Sequence, residues 1–128
     1  MKIYCTICCK EKRTDKRLIE ANKRYISDRI QKIDHKSKED KVEFRVLSSK
    51  FGLLKPEEKI PYYDHILMME EISDLSKMVQ QQLLSQKIDK VIFFAKNPIK
   101  HPYWKPYIAL IKSSCKGQMI NLEIKYID

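Results

Sequence analysis

The sequence predicts an α/β fold of three layers, about four parallel strands with helices on both faces, in one domain spanning residues 1–128. Three observations carry this. Short runs of β-forming residues alternate with stretches whose apolar residues recur at helical spacing, the order expected of a parallel sheet with crossover helices. No repeat, low-complexity tract or Gly/Ser linker divides the chain. Its 128 residues, 43% of them hydrophobic, suffice for one core without staples.

The elements follow in order. Lys2 to Cys9 is short, apolar and rich in β-formers, a buried strand. Thr14 or Asp15 can cap a helix running to about Ile33, with Leu18, Ala21, Tyr25, Ile26, Ile30 and Ile33 as its apolar stripe. Lys36 to Asp40 reads as a charged turn, and Val42 to Ser48 as the second strand. A long connection, Ser49 to Asp64, carries Gly52, Pro56 and Pro61. A helix follows to about Gln86, with Met68, Ile72, Leu75, Val79 and Leu83 at helical spacing, and Met68, Met69 and Met78 are expected in the core. Val91 to Ala95 is the third strand, apolar enough to be buried on both faces. A Pro-containing loop, Asn97 to Tyr103, leads to a helix from Lys105 to Cys115 that Gly117 terminates. Ile120 to Tyr126 alternates as a closing strand.

Composition limits the partners. Lys and Arg number 26 against 17 Asp and Glu, a net charge of +9 and a pI near 9.4, which favours encounter with polyanions. The expected partner is therefore a nucleic acid or a phosphorylated nucleotide, although a lysine-rich solvated surface accounts for the same charge. No stretch approaches the ~18 apolar residues of a membrane span. The first residues lack a signal-peptide layout, and the four cysteines then read as reduced thiols of a cytoplasmic protein. With only Gly52 and Gly117, Gly-rich phosphate loops and dinucleotide fingerprints are excluded.

In a parallel sheet the carboxyl ends of all strands share one edge, and ligands bind there. Three connections leave from it, bringing Lys10, Lys12, Arg13, Lys50, Lys96 and Lys100 to a cationic rim. The second connection, residues 49–64, far exceeds the usual ~2–6 residues, and long loops are disproportionately functional.

The runs Ile7-Cys8-Cys9-Lys10-Glu11-Lys12, Leu47-Ser48-Ser49-Lys50-Phe51-Gly52-Leu53-Leu54 and Ile60-Pro61-Tyr62-Tyr63-Asp64 resemble, in that order, a family of small prokaryotic and phage proteins of unknown function. Its members read Cys-Ser-Lys-x-Lys, Leu-Ser-Ala-Lys-(Tyr/His)-Gly-Leu and Pro-Tyr-Asp. The second and third motifs are also similar to the YaaA peroxide-stress family, which is associated with DNA binding. The resemblance covers roughly residues 1–67 and implies a nucleobase or nucleic-acid context. This chain has Cys9 where those relatives have Ser, and Phe51 where they have Tyr or His.

Two functions are open. One is hydrolysis of a nucleobase N-glycosidic or related bond. Asp64 would activate water or stabilise an oxocarbenium-like centre, with Lys50 holding the developing anion. Asp64 reads equally as an N-cap of the helix after it, and Lys50 and Lys10 as solvated lysines. The other is a non-catalytic nucleotide or nucleic-acid binder, favoured by the missing Tyr or His at Phe51. Either way, Cys9, Lys10, Lys12, Ser48, Ser49, Gly52, Tyr63 and Asn97 are the expected substrate-binding residues. No metal or other cofactor is expected: on a strand, Cys5 and Cys8 point to opposite faces. Cys9, beside Lys10 and Lys12, is a candidate nucleophile with a lowered pKa. His101-Pro102-Tyr103-Trp104, interleaved with lysines, can stack a base or cover the rim of the core. His65 and His35 are assigned no more than surface or capping duties.

Overall fold

A computed structural model describes residues 1–127. In chain order its elements are β1 (Lys2–Ile7), β2 (Ile19–Glu20), α1 (Ala21–Arg24), α2 (Asp28–Glu39), β3 (Glu43–Ser48), β4 (Gly52–Leu54) and β5 (Lys59–Ile60), then α3 (Ile72–Ser85), β6 (Lys90–Ala95), α4 (Lys105–Cys115) and β7 (Asn121–Tyr126).

The expected α/β class holds. The main sheet has the order β4-β3-β1-β6-β7. β1 pairs in parallel with β3 and β6, and β6 with β7. These four parallel strands are as expected, and a short fifth, β4, folds back antiparallel on β3 as an edge hairpin. Right-handed crossovers put α2 on one face of the sheet and α3 with α4, which pack together, on the other. One continuous core runs through β1, β3 and β6 and the inner sides of the helices. Among the described residues, no helix is long and apolar enough to cross a membrane.

The first helix departs most from expectation. Residues 14–18 are irregular, β2 and the four-residue α1 follow, and α2 begins only at Asp28. Two physical causes explain it. Arg24, fully buried, draws carbonyls inward: Nη1 donates to the backbone oxygens of Arg13 and Asp15, and Nη2 to those of Arg17 and Ile60, at 2.7–3.1 Å. Carbonyls turned towards a guanidinium cannot build a helical ladder. Ser27 then restarts the helix, its Oγ accepting the Ile30 N–H at 3.2 Å. Leu18 and Ile26, assigned to the buried stripe, are 58% and 59% exposed. The expected charged turn, residues 36–40, is largely the last turn of α2.

Two further expectations are corrected on the way to α3. Asp64 caps no helix, because residues 61–68 form neither helix nor strand and α3 is entered through a 3-10 turn at Met69–Glu71. Glu71 performs the capping, its Oε1 accepting the Met68 N–H at 2.9 Å. Met68, Met69 and Met78, expected in the core, are exposed. Gly117, with φ +77°, ends α4 as the sequence predicts.

Candidate functional site

β3 lies on one side of β1 and β6 on the other, so the strand order reverses between β1 and β6. Loops leaving the carboxyl ends at such a reversal diverge to opposite faces and leave a crevice. Here it is an open groove of about 490 Å³. Its walls include Cys9, Lys10, Arg29, Lys100, Tyr103 and Trp104. Lys96 also lines it, and Glu11 is its only carboxylate among the described residues.

Arg29 organises the groove. It stands in the first turn of α2, which begins at this edge because α2 is the crossover from β1. Its Nη1 donates to Thr6 Oγ1 at 2.7 Å and to the Ile7 carbonyl at 2.9 Å, and Nη2 to the Cys8 carbonyl at 3.4 Å. The guanidinium lies 4.9 Å from the centre of the Trp104 ring. Neutral oxygens and a π face hold it in place, and no carboxylate among the described residues pairs with it. Burial lowers its pKa, opposed by the neighbouring thiols of Cys9 and Cys8.

The two readings of the His101–Trp104 run divide between its aromatics. Trp104 is 4% exposed and covers the core, while Tyr103 is 38% exposed at the groove. The Tyr103 ring leans on Tyr107, whose hydroxyl accepts from the Cys8 thiol at 3.6 Å. Asn97, half-buried at the end of β6, accepts the Ile99 N–H on its Oδ1 at 2.9 Å and so shapes the loop that carries Lys100.

Cys9 corrects an expectation. Burial outweighs Arg29 and Lys12 and pushes its thiol up to about 11. The thiol donates to the Glu11 carbonyl at 2.9 Å. A protonated, hydrogen-bonded thiol is a poor nucleophile at neutral pH.

The remaining predicted residues gather around the β3–β4 turn. Ser48 Oγ accepts the backbone N–H groups of Lys50 and Phe51 at 3.1 and 3.0 Å and bonds the Tyr63 hydroxyl at 2.9 Å. The Tyr63 hydroxyl also meets that of Tyr25, and burial raises the pKa of both phenols. Ser49 Oγ donates to the His65 carbonyl at 2.6 Å. Gly52 has φ +69°, and a Cβ there would come within 2.5 Å of Gln82 Oε1. Lys12 lies over this cluster, its Nζ 4.7 Å from the centre of the Tyr63 ring.

Lys50 lines a second groove, of about 500 Å³, together with Ser49, His65, Glu70, Glu71 and Asp74. His65 Nε2 and Glu71 Oε2 are 2.7 Å apart, so His65 has a specific partner beyond the duties assigned to it. Asp64 is exposed and lines neither groove. The edge thus brings together Cys9, Lys10, Lys96 and Lys100 but separates them from Ser48, Ser49, Lys50, Gly52, Tyr63 and Asp64. Sequence reasoning missed Arg29. The available signal was Ser27-Asp28, a helix start that places the next residue at the sheet edge.

Residues 3–125 match a family of unknown function, DUF6884. The chain belongs to that family. No curated protein and no solved structure matches it.

Proposed function

We propose that the chain is a binding module for a phosphorylated nucleotide or a nucleic-acid strand, seated in the groove between the ends of β1 and β6. The observation that supports this best is the imbalance of charge in that groove: Lys10, Arg29, Lys96 and Lys100 against Glu11. Cations gathered at a concave site attract phosphate, and Arg29 supplies a guanidinium that needs no reorganisation to meet it. Tyr103 offers a partly exposed ring against which a base can stack. Binding is the better supported of the two functions, since hydrolysis requires Asp64 and Lys50 to face one ligand. Free thiols at Cys5, Cys8, Cys9 and Cys115 suit a reducing compartment such as the cytoplasm.

The single tryptophan reports on the site directly, because Trp104 forms its wall. Titration with ATP and with a short single-stranded oligonucleotide is expected to change Trp104 emission saturably, with calorimetry giving the same affinity. Lys10→Glu/Lys100→Glu should shift both titrations to weaker binding, on the order of a hundredfold at low salt. Absence of binding to either ligand at low salt, or binding unaltered in the double variant, would rule the proposal out.

A further inference from the structure

The two edges of the main sheet are finished differently. β4 is three residues long, and its outward backbone is closed by a side chain. Gln82 Oε1 accepts the Leu53 N–H at 2.6 Å, and Gln82 Nε2 donates to the Phe51 carbonyl at 3.1 Å. β7, at the opposite edge, runs six residues in unbroken register with β6, from Asn121 to Tyr126. It has no proline, glycine or bulge of the kind that blunts exposed edges.

The phase of β7 is set by its pairing with β6. Asn121 donates its N–H to the Asp89 carbonyl, and Ile127 to that of Ala95. Odd-numbered residues therefore bond inward, and the N–H and C=O groups of Leu122, Ile124 and Tyr126 point to the open side. Among the described residues, no strand pairs with β7 there.

We propose that a second copy of the chain occupies this edge, β7 lying antiparallel to β7 with Ile124 opposite Ile124. Three properties select that register together. It aligns every outward residue: Leu122 faces Tyr126, Ile124 faces itself and Tyr126 faces Leu122, each pair exchanging two backbone hydrogen bonds. It sets Glu123 opposite Lys125, and Lys125 opposite Glu123, in the closely spaced pairs between them. It brings Tyr126, 56% exposed in the single chain, against Leu122 of the second copy. Sliding the partner by the next step in phase puts Glu123 opposite Glu123 in one direction and Lys125 opposite Lys125 in the other. Both place like charges in contact. Within one chain, Lys125 Nζ stands 3.8 Å from Glu123 Oε2 with both side chains about half exposed, so each can exchange its partner for the residue across the interface. Edge-to-edge pairing about a two-fold axis is closed and produces a dimer.

The test is sedimentation of the intact protein at low salt, with circular dichroism to verify folding. Wild type is expected to dimerise, while Glu123→Lys and Lys125→Glu, both on exposed side chains, are each expected to be monomeric. Mixing these two variants should yield a heterodimer, since lysines then face glutamates throughout, and the double variant E123K/K125E should dimerise like wild type. A wild-type protein that stays monomeric at millimolar concentration overturns the proposal. Single variants that dimerise as wild type does, or a mixture that fails to associate, overturn the interface.

Discussion

The groove between β1 and β6 and the cluster around the β3–β4 turn stand at the same edge of the sheet, yet their polar atoms face different things. In the turn cluster they face each other: Ser48 bonds two backbone N–H groups and Tyr63, Tyr63 bonds Tyr25, and Ser49 bonds the His65 carbonyl. In the groove, Lys10, Lys96, Lys100 and one side of Arg29 face open space. A segment rich in motif residues can thus serve as a structural clasp, and a plainer one can present the cations. Polar groups bonded within the protein are not available to a ligand, and unpaired cations in a concavity are.

Substitutions that strike one region and spare the other sharpen this contrast. The largest effect is expected from Lys10→Glu/Lys100→Glu, which should weaken binding of an anionic ligand on the order of a hundredfold at low salt without changing stability much. Equilibrium titration and a melt of the same sample check both halves. Gly52→Ala comes next, forcing a side chain into φ +69° and against Gln82, and should cost about 2 kcal/mol in denaturant unfolding while affinity is kept. Tyr63→Phe removes a buried hydroxyl that serves Ser48 and Tyr25, with an expected loss of about 1 kcal/mol and again no change in affinity. Asp64→Asn should be the mildest, within about 0.5 kcal/mol, since the carboxylate is exposed and caps nothing. If Asp64→Asn instead removed a turnover measured on wild type, the turn region would be the working site and the contrast would be reversed.

Most of the fold was legible because buried parallel strands are written as continuous apolar runs. Lys2–Ile7 and Lys90–Ala95 read that way, Val42, Phe44, Val46 and Leu47 marked the strand between them in sequence, and the helical spacing of Leu75, Val79 and Leu83 marked α3. The start of α2 was hidden because Leu18, Ala21, Tyr25 and Ile26 keep helical spacing although Arg24 holds the preceding carbonyls elsewhere. Periodicity cannot register a buried guanidinium. β4 was hidden because three residues after a tight turn leave no pattern, and its clasp by Gln82 is a contact between distant segments. At the edge, Lys10, Lys96 and Lys100 followed from topology alone. Arg29 did not, since a helix from Thr14 to Ile33 would have put it near the helix end remote from this edge. The Cys9 thiol was misjudged because neighbouring lysines are visible in sequence and burial is not.

The decisive measurement is the slope of log affinity against log salt for a single-stranded oligonucleotide, taken for wild type, Lys100→Ala and Lys50→Ala. A lysine that contacts phosphate contributes about one unit to that slope, whereas a solvated one contributes nothing. The expected result is a slope shallower by about one for Lys100→Ala and unchanged for Lys50→Ala. A slope that falls for Lys50→Ala and holds for Lys100→Ala would contradict the assignment of the site to the groove between β1 and β6.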